Sequence, residues 1–253
     1  MPIDTIQLGQ ILSDPEFMLP QLNRLAHAST VQHFDDFTGD DLSNYILHSG
    51  SDDLAVDPAF NAQVGGVVRL SAGDGDGAIA VDQSIIVLPT PFKAEDGNLA
   101  FEVRLKFTDI TKNSLYVGFT DITTADEEGM HVSGTTLTTD MADGFGFVFD
   151  TAMTTDEFWA AGVDTNTDAT GSGTTGIAPV NGTYNVLRME VDTDGQGARA
   201  YIDGTLVKTL TAKVTTPTVA QYFVVSINGD ASNSAVATVD VDYILVESDR
   251  PSA

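Results

Sequence analysis

The stretch with the most evident chemical capacity is Glu190-Val191-Asp192-Thr193-Asp194. Carboxylates at every second position of a strand fall on one face. Two carboxyl groups about 5–5.5 Å apart can attack and protonate a glycosidic bond. Two features oppose that reading here. Asp194 is followed by Gly195, so it belongs to a turn, and sugar clefts favour aromatic platforms whereas Trp159 is the single tryptophan. Trp159 is therefore read in two ways, as a core side chain and as a platform for a sugar ring. A second cluster, Asp164, Asn166 and Asp168, has the alternate spacing of a calcium-binding loop, but Ala169 and Thr175 stand where such a loop places its glycine and its final glutamate. Asp74 and Asp76, set among glycines, could also offer oxygens to a hard cation. Calcium is the one cofactor these residues would admit; the competing reading for both clusters is a solvated turn.

Other chemistries are excluded by what is missing. There is no cysteine, so thiolate catalysis and disulfides are out. The four histidines, His27, His33, His48 and His131, show no paired spacing for zinc. Neither a Gly-x-Ser-x-Gly elbow nor a phosphate loop with its lysine occurs.

The elements that must position these groups centre on Thr183–Thr209. Leu187, Met189 and Val191 alternate with Arg188, Glu190 and Asp192, the period of a strand with one buried face. Asp194-Gly195 and Asp203-Gly204 reverse the chain, since both residue types tolerate positive φ. Three antiparallel strands in a meander follow from this. Further strands are expected at His33–Thr38, Tyr45–Leu47, Val67–Leu70, Ser84–Leu88, Leu99–Phe107, Ser114–Thr120, Gly144–Asp150, Glu157–Val163, Gln221–Asn228 and Ala235–Glu247. Pro89 and Pro91 should end the Ser84 strand, because proline cannot donate to a ladder. Asp121–Asp143 and Thr165–Gly176 read as polar loops. Most aromatics on these strands, Phe119, Phe145 and Phe147 among them, are expected in the core.

Residues 1–30 differ. Ile3, Ile6, Leu8, Ile11, Leu12, Phe17 and Leu22 recur at three- and four-residue spacings, broken by Asp14-Pro15 and Pro20. Two short amphipathic helices are expected, forming an N-terminal arm that packs on the sandwich or docks on a partner. Residues 31–253 then form one domain.

The chain carries 37 acidic and 11 basic residues, a net charge of −26. Such a surface repels nucleic acid and anionic membranes, so neither is an expected partner. It fits a saline setting, where screening relaxes self-repulsion, or else a cationic partner or bound divalent cations. No apolar run reaches the ~18 residues of a spanning helix, and the N-terminus lacks a basic leader.

Several segments together resemble the concanavalin A-like (laminin-G-like) jelly roll: Tyr184, Leu187-Arg188, Val191-Asp192 and Tyr201-Ile202-Asp203-Gly204, with Phe101–Leu105, Tyr116–Phe119, Gly144–Val148 and Val239–Ile244. The resemblance implies an all-β fold, a two-sheet antiparallel jelly-roll sandwich. Jelly-roll glucanases of this superfamily carry a Glu-x-Asp-x-Glu-like motif on one strand, but Glu190 lies on the strand that resembles the "LRievd.dG" strand and not on the catalytic one. The opening His33–Leu42 and the closing Asp240–Arg250 resemble marine tailed-phage virion proteins. That resemblance implies a non-enzymatic protein decorating the capsid surface. It would be made in host cytoplasm, dock through the arm on the major capsid protein, and assemble as a homo-oligomer. The alternatives are a carbohydrate-binding lectin module, calcium-dependent or not, and a jelly-roll glucanase.

Overall fold

The computed structural model describes residues 30–38, 42–49, 56–61, 66–72, 83–122, 129–229 and 236–250. The arm residues Ile3 to Leu22 and the Asp74/Asp76 pair lie outside them. The fold is all-β: two eight-stranded antiparallel sheets stacked face to face, with a two-stranded hairpin laid on one of them.

Sheet A runs in the order β16 (Thr205–Leu210), β15 (Ala198–Ile202), β14 (Asn185–Val191), β6 (Ala100–Phe107), β18 (Ala237–Asp249), β4 (Val67–Ala72), β3 (Val56–Asn61), and β1 (Thr30–Asp35) also pairs with β18. Sheet B runs β12 (Thr167–Asp168), β11 (Trp159–Asp164), β10 (Gly144–Asp150), β7 (Asn113–Thr120), β17 (Gln221–Gly229), β5 (Gln83–Phe92), β2 (Ile46–Ser49), with β13 (Gly173–Thr174) on β11. The hairpin is β8 (Met130–Ser133) with β9 (Thr136–Thr139).

Alternation builds the core. Val103 and Leu105 on β6, Leu187 and Met189 on β14, and Phe145, Phe147 and Phe149 on β10 all turn between the sheets and are fully buried. Phe101 sits among the rings of Phe119, Phe147 and Phe223, with centroids 5.3–6.2 Å apart, the range in which tilted aromatic pairs attract. The expected meander is present. At its second turn Asp203 (φ 50°) and Gly204 (φ 75°) are both left-handed, and Ile202 pairs with Thr205 across them. Asp203 also accepts from the Val186 backbone N–H at 2.8 Å, tying the turn to β14.

Four points of expectation need correction. β5 does not stop at Pro89 but runs to Phe92. Its pairing with β17 shifts between Tyr222 and Val224, which places Pro89 in the irregular stretch, while Pro91 pairs with Tyr222 beyond the Ser84–Val87 segment that β2 covers. Asp121–Asp143 is not simply a loop, because the β8–β9 hairpin forms inside it; Met130 and Val132 supply the buried side that a polar average concealed. β3 was not anticipated at all. The first strand also begins three residues earlier than His33, at Thr30.

Candidate functional site

The outer face of sheet A carries an unusual share of the chain's cations. Arg69 on β4, Arg104 and Lys106 on β6, Arg188 on β14 and Arg199 on β15 all point away from the core, since their strand neighbours fill it. Each is placed by register beside carboxylates. Asp240 lies opposite both Arg69 and Lys106. Its side chain is fully buried and accepts two hydrogen bonds from Arg69, at 2.7 and 2.9 Å, with Lys106 Nζ at 3.5 Å. The bidentate bond raises the Arg69 pKa. Arg104 bonds Asp242, and the guanidinium carbon of Arg104 lies 4.0 Å from the Tyr184 ring centre.

One break in this lattice forms a cleft. Glu247 on β18 and Glu190 on β14 are both in register with Ala100 on the intervening β6. Alanine leaves the space between them empty, and a cavity of about 310 Å³ results. That is the lower end of the size range of small-molecule sites. Arg188 spans the opening. Its Nε donates to Glu190 at 3.0 Å and its Nη2 to Glu247 at 2.7 Å. Arg199 approaches Glu190 and Asp192 at 3.5 Å each. Asp249 lines the rim, held by the Asn98 side-chain amide at 2.7 Å. The burial of Arg188 lowers its pKa, but the bonds from Glu247 and Glu190 outweigh that and the net direction is up.

The sequence constellation is thus divided. Glu190 enters the cleft, and Asp192 stands beside Arg199 at its edge. Asp194 instead accepts from the Gln196 backbone N–H at 3.0 Å and closes the turn. No described strand carries carboxylates at three alternate positions. The partner of Glu190 is Glu247, far away in sequence, which only the sheet order reveals. Of the candidate cation ligands, Asp164 Oδ1 accepts from the Thr165 and Thr216 hydroxyls at 3.0 and 2.7 Å, Asn166 lies exposed in the following turn, and Asp168 lies exposed on β12, paired with Val163. Among the described residues no three His, Cys, Asp or Glu side chains gather to hold a metal ion. Trp159 is half-buried on the outer face of sheet B, against the apolar patch that includes Val148 and Met153.

That outer face differs sharply. Tyr116, Val148, Ala161, Val163 and Val224 form a second apolar cluster, and Met130 and Val132 of the hairpin close over it. At its centre Gly118 faces Gly146. A Cβ on Gly118 would come within 2.1 Å of the Phe145 carbonyl oxygen. The Tyr116 hydroxyl reaches over these glycines to donate to the Phe119 carbonyl at 2.6 Å. Burial pushes the Tyr116 pKa well up.

No family model matches the chain, and no curated protein matches it. Solved structures do. A LamA variant from Z. galactanivorans in complex with laminaritriose and laminaritetraose superposes with a TM-score of 0.59 at 12% identity, covering 87% of this chain and 98% of that one. The Bacillus licheniformis β-glucanase gives 0.56 at 12% identity, with 87% and 98% covered. The κ-carrageenase from Pseudoalteromonas carrageenovora, in complex with an oligotetrasaccharide of κ-carrageenan, gives 0.55 at 9% identity, with 87% and 96% covered. These likenesses correct two expectations, that of a capsid decoration protein and that of a chain without enzymatic activity. The sandwich is shared with proteins titled β-glucanase and κ-carrageenase, and the opening and closing segments that suggested a virion protein contribute to β1 and β18 of that sandwich. The chain has the concanavalin A-like jelly-roll fold.

Proposed function

We propose that the chain is a glycoside hydrolase acting on an uncharged polysaccharide at the Glu190/Glu247 cleft. The observation that carries this reading is the convergence of two glutamates from strands two apart on one guanidinium above Ala100. The fold shared with glucanases and a carrageenase supports it. One carboxyl group would protonate the leaving oxygen, and the other would activate water or stabilise the developing positive charge. Whether the pair inverts or retains the anomeric configuration is read from the product anomer. Arg188 would hold both glutamates in place.

Charge sets the substrate class. At the cleft Glu190, Glu247 and Asp249 outnumber Arg188 and Arg199, and the whole chain is strongly negative. A sulfated galactan would be repelled and a neutral glucan would not. The test is reducing-end release from laminarin and from κ-carrageenan, with the product anomer followed by NMR. Laminarin should be cut, and Glu190→Gln or Glu247→Gln should lower the rate on the order of 10²-fold or more. If wild-type protein releases no reducing ends, or both variants keep full rate, the proposal fails.

A further inference from the structure

The outer face of sheet A continues past the cleft onto β1. This strand pairs with the second half of β18, which sets Gln32 in register with Glu247 and Phe34 with Leu245. Val31 packs on the core, and His33 bonds the buried Tyr45 on the same side. By alternation Thr30, Gln32 and Phe34 turn outward. Thr30 already lines the cleft. Gln32 extends the row of Glu190, Ala100 and Glu247, and Phe34 extends the next row, that of Arg188, Glu102 and Leu245.

Phe34 is 60% exposed, the most exposed large apolar side chain among the described residues. A ring left in water forgoes the stabilisation that burial would bring. Yet this ring is braced. It leans on Tyr243, with centroids 6.0 Å apart and planes at 42°. The Tyr243 hydroxyl donates to Glu102 at 2.7 Å. Glu102 in turn lies 3.9 Å from Arg188, the guanidinium that holds both cleft glutamates. One chain of contacts therefore links the exposed ring to the cleft.

Position and charge indicate what would lie on it. Phe34 is two strands from Ala100, about 9.5 Å, and one side-chain repeat along the strand, about 7 Å. A short oligosaccharide laid from the cleft across β18 reaches it. The outward residues of β1 carry no charge, so they add a neutral strip to a cleft edged with carboxylates. A pyranose offers C–H groups on its face, which suit an aromatic ring, and hydroxyls at its edge, which suit a side-chain amide. Phe34 and Gln32 supply one of each.

We propose that Phe34 and Gln32 form an outer subsite of the cleft, binding a sugar ring of a neutral glucan beyond the ring held between Glu190 and Glu247. The subsite rests on the reading of that cleft as a glycan site, and it makes β1 the element that selects longer, uncharged chains.

The experiment is calorimetric titration of laminaritetraose into the full chain carrying Glu190→Gln, which reads binding without cleavage. Adding Phe34→Ala should weaken binding about five- to tenfold, the range of one aromatic contact. Phe34→Trp should keep the affinity or tighten it, and Gln32→Ala should weaken it about threefold. Urea midpoints should move little, because both side chains are exposed. Equal affinity of the Phe34→Ala variant and its parent, absence of binding by the parent, or equal affinity for a κ-carrageenan oligosaccharide would each overturn the proposal. Reducing-end release by the wild type is read separately. Hydrolysis of laminarin with an affinity indifferent to Phe34 removes the subsite alone, whereas Phe34-dependent binding without hydrolysis removes the hydrolytic reading alone.

Discussion

The two outer faces of the sandwich solve one problem in opposite ways. Every sheet must cover the side it turns away from the core. Sheet A does so with charge: Arg69 and Lys106 cover the buried Asp240, and Arg188, Glu190 and Glu247 stand part-exposed in a second cross-strand row. Sheet B does so with a second apolar layer, in which Val132, at 0% exposure, and Met130 close over Tyr116 and Val148. A charged face needs no lid, but it sets carboxylates close enough to do chemistry. An apolar face needs the hairpin. The candidate cleft follows from the first of these two modes of covering.

Breaking the apolar cover should have the largest effect. Val132→Asp places a carboxylate between the hairpin and sheet B, where nothing can pair it. A loss of about 3–4 kcal/mol is expected in urea unfolding. A loss below 1 kcal/mol would mean that the hairpin opens freely.

On sheet A the comparable change is Asp240→Ala. It leaves Arg69 and Lys106 without their shared buried carboxylate, and a cost of about 3 kcal/mol is expected. Joint replacement of Arg69 and Asp240 by Met and Leu should recover much of that loss, because an apolar pair of similar volume often replaces a buried ion pair at little cost. If the double variant is as unstable as the single one, the lattice has a role beyond pairing.

The smallest effect lies at the edge of sheet A. Tyr45 donates its hydroxyl hydrogen to Asp35 at 2.9 Å, so His33 Nε2, 2.8 Å from the same oxygen, must be the donor in that contact. Burial lowers the His33 pKa below 6.5, with Asp35 opposing. The unfolded chain therefore takes up the proton first, and stability falls as pH drops below 6.5, levelling once the folded histidine is protonated. His33→Gln should remove this component. The gap between wild type and variant in urea midpoints should narrow between pH 7.5 and pH 5; a constant gap would show that His33 carries none of the pH dependence.

Much of the architecture was legible along the chain because alternation and turn chemistry are local. Leu187, Met189 and Val191 had to face one way and Arg188 and Glu190 the other. Asp203-Gly204 had to turn, since few other residues adopt two successive positive φ values. What misled was averaging. The Asp121–Asp143 stretch is polar overall, yet Met130 and Val132 sit at alternate positions and make a strand with a buried side. Pro89 and Pro91 looked terminal because what accommodates them, the ladder shift with β17 and the end of pairing with β2, lies in other segments.

The candidate site shows where that legibility ends. The chain by itself determined that Glu190 faces outward beside Arg188, through the two-residue period of the strand. It could not determine that Glu247 and Ala100 would complete a cleft, or that β1 would set Phe34 beside it. Those juxtapositions depend on strand order and register, which arise from hydrogen bonds between segments far apart in the chain. Side-chain direction is set by neighbours in the chain, whereas proximity across a sheet is set only when the whole sandwich closes.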